Sequence, residues 1–292
     1  MKIVGPCWLC SEIRELTEEH TPPRSAFNNH DILLQSVDRL TEQLGRVIWQ
    51  SEMVHGWTVH SLCGECNNKS GGQYGSHYAE FIKDVAEKVD KVDEGDTISV
   101  VVHRPLSILK QVMMNFVTAN GPHFVQTHLW TRKFLRSSRN KDFPENWYVY
   151  AFAVKGTSGR KSGVGGFYDL IQKRINVVAE FTFWPLGTVL AFQPMDDYRL
   201  APIHQYAKYE YTDSRARLIL DLPVNPAASA YPVDFRSKEQ IVKGRFPLAN
   251  NYEVTQEQGK EMCDKIFKYA AKEDQEDFIA SGHPSTFRNL KE

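Results

Sequence analysis

No run of about 18 apolar residues occurs in the 292-residue sequence, so it offers no membrane-spanning helix. The opening MKIVGPCWLC lacks the long apolar stretch and small-residue cleavage site of a secretory leader, which points to a cytoplasmic protein. H-E-x-x-H is absent, excluding the common metalloprotease arrangement. No internal repeat or low-complexity tract interrupts the chain. With 41% hydrophobic and 12% aromatic residues there is ample material for a core, and the length suits one large domain or two smaller ones.

Carboxylates are missing from one long stretch. Thr97 to Lys141 contains none, and residues 97–174 carry 12 basic against 3 acidic side chains. The flanks reverse this, with 16 acidic and 8 basic in residues 11–96, and 17 and 14 in residues 175–292. A basic middle between acidic ends attracts a polyanion locally, or it is an uneven solvated surface. The net charge of −1 leaves both open.

Cysteine is scarce, yet four of the five fall in two C-x-x-C pairs, Cys7/Cys10 and Cys63/Cys66. In a cytoplasmic chain such knuckles favour metal over disulfides, and two together complete a tetrahedral Cys₄ zinc site. Four sulfur ligands leave no open coordination position, which makes that zinc structural. Pro6-Cys7-Trp8-Leu9-Cys10 also matches half of a nucleobase deaminase signature, but the six residues before Cys7 hold no H-x-E. Cys263, alone in a helical pattern, reads as a core thiol.

Between the knuckles, Glu18-Glu19-His20-Thr21-Pro22-Pro23 places His20 at the end of a strand or in a loop, because the prolines force extended or turning backbone. Residues 29–46 suit a helix, with Ile32, Leu33, Leu40 and Leu44 inward. Residues 55–63 alternate as a strand. Tyr74, Tyr78, Phe81, Val85, Val89 and Val92 recur at helical spacing just after the second knuckle. Beyond it come a strand within 94–103, a helix from Pro105 to Thr118, and strands in WYVYAFAV, INVVAEFTFW, TVLAFQP and ARLILDLPV. The chain thus reads as α+β, with an N-terminal module over 1–96 and an α+β domain over 97–292.

CWLC, EHTPP and LCGECNNKSGG follow one another in an order that resembles the zinc-bearing HNH (ββα-metal) endonucleases, over roughly residues 4–75. The resemblance implies a zinc-stapled ββα-metal module and metal-dependent phosphodiester hydrolysis of nucleic acid, in the first place DNA, in roles such as phage defence or restriction. It makes His20 the general base, since an imidazole titrating near about 6.5 can accept a proton at neutral pH. It makes Glu19 and Asn67, or Asn68 if the turn shifts by one, the oxygen ligands of a catalytic Mg²⁺ or Mn²⁺. Lys69 would steady a neighbouring phosphate. One part departs from the pattern: the family's middle position, which orients the base, falls on Thr58, while His55 and His60 are out of register and read as core or surface histidines.

Outside the module, Arg132, Lys133, Arg136 and Arg139 are spaced to share a helical face, either a phosphate-contacting stripe or a solvated basic face. Residues 155–166 contain no phosphate-loop register and read as a mobile hairpin loop whose Arg160 and Lys161 reach a nucleic-acid backbone. Trp130, Trp147 and Trp184 read as core. The C-terminal domain would bind substrate or a protein partner, with homo-oligomerisation open. The alternatives are a zinc-dependent nucleic-acid-binding module without catalysis, and an interaction protein with a purely structural zinc.

Overall fold

A computed structural model describes residues 2–37, 50–155, 158–169, 174–195, 197, 199–211 and 217–226. These form a mixed α+β protein with two sheets. The small sheet orders β1 (Val4–Pro6), β2 (Ile13–His20) and β5 (Thr58–Cys63), all antiparallel. From the loop joining β2 to β5, β3 (Asp31–Val37) and β4 (Gln50–His55) depart to the large sheet. After β5 come α1 (Gly64–Ser70), a single π turn, α2 (Ser76–Val89) and β6 (Thr97–His103).

Next, α3 (Pro105–Asn120), α4 (Pro122–Thr127) and α5 (Leu129–Arg136) precede β7 (Tyr148–Lys155), β8 (Ser158–Asp169), β9 (Arg174–Phe183), β10 (Leu186–Ala191), β11 (Ala201–Pro202) and β12 (Arg217–Pro226). The large sheet runs β4-β3-β8-β9-β10-β7-β12-β6, with β11 also on β7. β3 with β8 and β7 with β12 are parallel pairs; the other pairs are antiparallel.

The centre of the molecule is α3. Pro105 starts it where the amide would lack a partner anyway. Its sequence is apolar on nearly every side, and every residue from Pro105 to Thr118 is buried. It stops at Gly121, whose φ of +80° suits a residue without Cβ, and Pro122 follows. One hydrophobic cluster runs from Cys7 and Leu62 through Val85 and Phe116 to Val149 and Val224, so the core crosses residue 96 without a break. A second, around Tyr150, Phe152, Val178 and Val189, lies on the other face of the sheet. Gly187 belongs there: a Cβ on it would lie 2.2 Å from the Phe152 ring.

Two expectations are corrected. Residues 31–37 are not helical; they pair with β4 on one side and β8 on the other. A short apolar run such as Ile-Leu-Leu suits either state, and here the two ladders decide it. Residues 38–46 lie outside the described residues, as does Cys263. Residues 158–166 are not a loop but the first part of β8, hydrogen-bonded to β3 and β9. The glycines weaken strand propensity and mark a bulge between Ser162 and Gly165. At that bulge the Asn120 side chain accepts the Val164 amide at 2.7 Å, so the end of α3 completes the ladder. The remaining helices and strands expected after the second knuckle are present. Among the described residues no helix is long and apolar enough to cross a membrane.

Candidate functional site

The first knuckle is a tight turn between β1 and β2. Ser11 takes a left-handed φ of 66°, its amide donates to the Cys7 carbonyl at 2.7 Å, and the Cys7 amide donates to Glu12 at 2.9 Å. The Trp8 amide donates to Ser61 at 2.9 Å, which brings the turn over the end of β5. Cys63 closes β5 and Cys66 stands in the first turn of α1.

The four sulfurs thereby come within 4.8 Å of one another. Cys10 and Cys63 are 3.9 Å apart, too far for a disulfide and close to the ~3.8 Å edge of a tetrahedron with zinc–sulfur bonds of about 2.3 Å. Burial opposes ionisation of Cys7, but the amides of Cys10, Cys63 and Leu9 outweigh it and bring that thiol down to about 7. The Cys63 amide points at Cys7 Sγ from 3.4 Å. Burial and the neighbouring thiols push Cys66 and Cys10 upward. Thiols crowded in this way ionise together only with a cation between them, and the donor set fits zinc or another thiophilic ion. Among the described residues, this is the one group of three or more Cys, His, Asp or Glu side chains close enough to hold a metal.

His20 ends β2, opposite Thr58. Its ring is half-buried, and Nδ1 is enclosed without a hydrogen-bond partner. Opposed residues share a face of the hairpin, so His20 stands with Glu18, Thr58 and His60; a 2.8 Å bond from Thr58 Oγ1 to Glu18 fixes that side. Glu19 points to the other face. It is 7% exposed, accepts Ser61 Oγ at 2.7 Å, and is raised to about 7 by burial and by the nearby Cys7. On the far side of a register shift between Thr17 and Glu18, Asn67 Nδ2 donates to Thr17 Oγ1 at 3.0 Å. α1 is thus packed back on the hairpin at Thr17. Asn68 and Lys69 are exposed.

The group that sets the turn after His20 is Asn28, which sequence reasoning missed. Fully buried, it donates from Nδ2 to the carbonyls of Pro22 (2.7 Å) and Trp57 (2.9 Å), and its Oδ1 accepts the Trp57 amide at 2.7 Å. A Cβ on Gly56 would lie 2.8 Å from the Asn28 carbonyl, so glycine is required beside it. Nothing in the sequence separates Asn28 from Asn29. His55, by contrast, is an exposed partner of Asp31 at 2.8 Å. Asn28→Ala strands two carbonyls and an amide in a dry site. We expect it to cost about 2–4 kcal/mol in urea unfolding while leaving the metal content unchanged.

Among the basic residues, Lys133 and Arg136 are exposed on the last turn of α5, Arg139 is exposed just beyond it, and Arg132 is half-buried. Arg160 does not reach solvent: it is 2% exposed on β8, within the large sheet. Lys161 is half-buried with its Nζ 4.9 Å above the Trp57 ring. Trp147 is buried, Trp130 packs edge-on against it with ring centres 4.7 Å apart, and Trp184 meets Phe27, as core residues do. The chain matches no protein-family model, no curated protein and no solved structure.

Proposed function

We propose that this chain is a metal-dependent endonuclease of the HNH type, hydrolysing phosphodiester bonds of DNA in a setting such as phage defence or restriction. One arrangement supports the reading. A histidine ends the first strand of an antiparallel hairpin, the helix after the second strand packs back on that hairpin, and a four-cysteine cluster fastens them together. His20 takes the proton of the attacking water. Glu19 and Asn67 supply oxygen donors for a Mg²⁺ or Mn²⁺, which when bound polarises the scissile phosphate. Zinc on the cysteines serves the fold alone.

One observation favours a second reading, a zinc-dependent nucleic-acid-binding module without catalysis. Glu19 is buried against Ser61 and faces away from His20, so it does not present its carboxylate to a solvated cation. Incubation with supercoiled plasmid separates the two. Nicking that requires added Mg²⁺ or Mn²⁺ supports the nuclease; a gel shift without cleavage supports the binding module. Neither result would leave only an interaction protein.

A further inference from the structure

Two fully buried polar side chains converge on the C-terminal end of α5. The Tyr74 hydroxyl donates to the Leu135 carbonyl at 2.8 Å. Lys110 Nζ donates to the carbonyls of Phe134 and, at 2.7 Å, of Asn140, and lies 3.5 Å from the centre of the Phe134 ring. The last carbonyls of a helix have no partner within it, and here these two side chains supply the missing donors. An 8-residue helix is too short to persist unaided, and Ser137 beyond it is extended. α5 is therefore held from outside, by Tyr74 just after α1 and by Lys110 from α3.

What this clamp places is charge. Arg136 lines the same cleft as Lys69, beside Cys10 and Cys66. The two carboxylates on that cleft, Glu12 and Glu65, are both engaged by Arg14. Among the described residues, Lys69, Lys133, Arg136 and Arg139 have no acidic partner, and all four are exposed. Unpaired cations carried side by side on α1 and α5 are the electrostatic footprint of a phosphate backbone.

We infer that Lys69, Lys133, Arg136 and Arg139 form one phosphate-binding surface for a DNA duplex, and that Tyr74 and Lys110 are positioning residues locking its α5 half against its knuckle half. The inference rests on the nuclease reading for what the surface serves, but binding here does not depend on His20.

The test is binding of the full chain to a short mixed-sequence DNA duplex, by fluorescence anisotropy across a salt series without added Mg²⁺ or Mn²⁺. Lys69→Gln and Arg136→Gln should each make the log–log salt slope shallower by about 0.9, the loss of one neutralised phosphate. Tyr74→Phe should keep its zinc and its circular dichroism yet bind more weakly. In its background Arg136→Gln should change the slope by less than it does alone. A tyrosine that merely stabilises the fold would leave the Arg136 contribution whole, and that result overturns the positioning role. Lys110→Met leaves the Phe134 and Asn140 carbonyls without their donor and risks unfolding, so Tyr74→Phe carries this arm. Unchanged slopes for Lys69→Gln and Arg136→Gln overturn the surface itself. If those slopes respond but plasmid is never cut, the nuclease reading falls and the surface stands; if cutting depends on His20 and the slopes do not respond, the reverse holds.

Discussion

Cys66→Ser, or treatment with a strong chelator, is expected to release one zinc per chain and to unfold the knuckles together with β1, β2, β5 and α1. The four sulfurs come from three separate places: the turn before β2, the end of β5 and the first turn of α1. An ion shared by the four sulfurs would join them. The small sheet has only three strands, and its apolar side chains, Leu9, Leu16 and Leu62, surround Cys7 and Cys63 in the same cluster. A structural zinc contributes roughly 10–16 kcal/mol, against about 5–15 kcal/mol for the net stability of a whole domain. Losing it outweighs anything the three strands can supply. Elemental analysis of protein purified without added metal should find close to one zinc, and far-UV circular dichroism should report its loss. A metal-free protein with native spectra and melting temperature would exclude this centre.

The cysteine cluster was legible because a C-x-x-C turn fixes its own geometry, so two of them announce a tetrahedral site at any separation. α3 and strands β6, β7, β9, β10 and β12 were legible for the same local reason: their hydrophobic pattern and their bounding turns agree, and for α3 its opening proline as well. What could not be read was set by pairing across long distances. Ile32 to Val37 carries a pattern open to either state, and partners more than 120 residues away in β8 make it a strand. The glycine-rich stretch of β8 looks like a loop until β3 and β9 flank it and Asn120 caps its bulge. Arg160 followed from that error: on β8 its side chain is 2% exposed.

The site divides along the same line. Spacing identified the residues beside the cysteines, but it could not show that alternation along β2 sends Glu19 and His20 to opposite faces. Asn28 was invisible for a different reason. Its role is to bridge Pro22 and Trp57, a contact that spans 29 residues of sequence and exists only once β2 and β5 are paired. A search confined to the expected middle position at Thr58 looks along β5 and misses Asn28, which lies between β2 and β3.

Replacing His20 by alanine is expected to abolish plasmid cleavage while zinc content, fold and DNA binding stay near those of the parent. His20 is no part of the cysteine cluster, and its turn is held by Asn28 and by a 3.0 Å bond from the Thr21 amide to Trp57. Its Nδ1 makes no hydrogen bond that the substitution would break. The change should therefore delete proton transfer and little else. Loss of a general base typically lowers a rate on the order of 10²–10⁴-fold, well within the range of a nicking assay. Asn67→Ala and Glu19→Ala should behave differently, because they remove cation donors: higher Mg²⁺ or Mn²⁺ should restore part of their activity and none of that of His20→Ala. Glu19→Ala carries an added cost, since it leaves Ser61 Oγ buried without its acceptor and should lower the melting temperature. If instead His20→Ala cuts as fast as the parent, His20 is not the base. Should Glu19→Ala then prove only less stable and no less active, its buried carboxylate is a structural partner of Ser61, and the binding-module reading takes the nuclease's place.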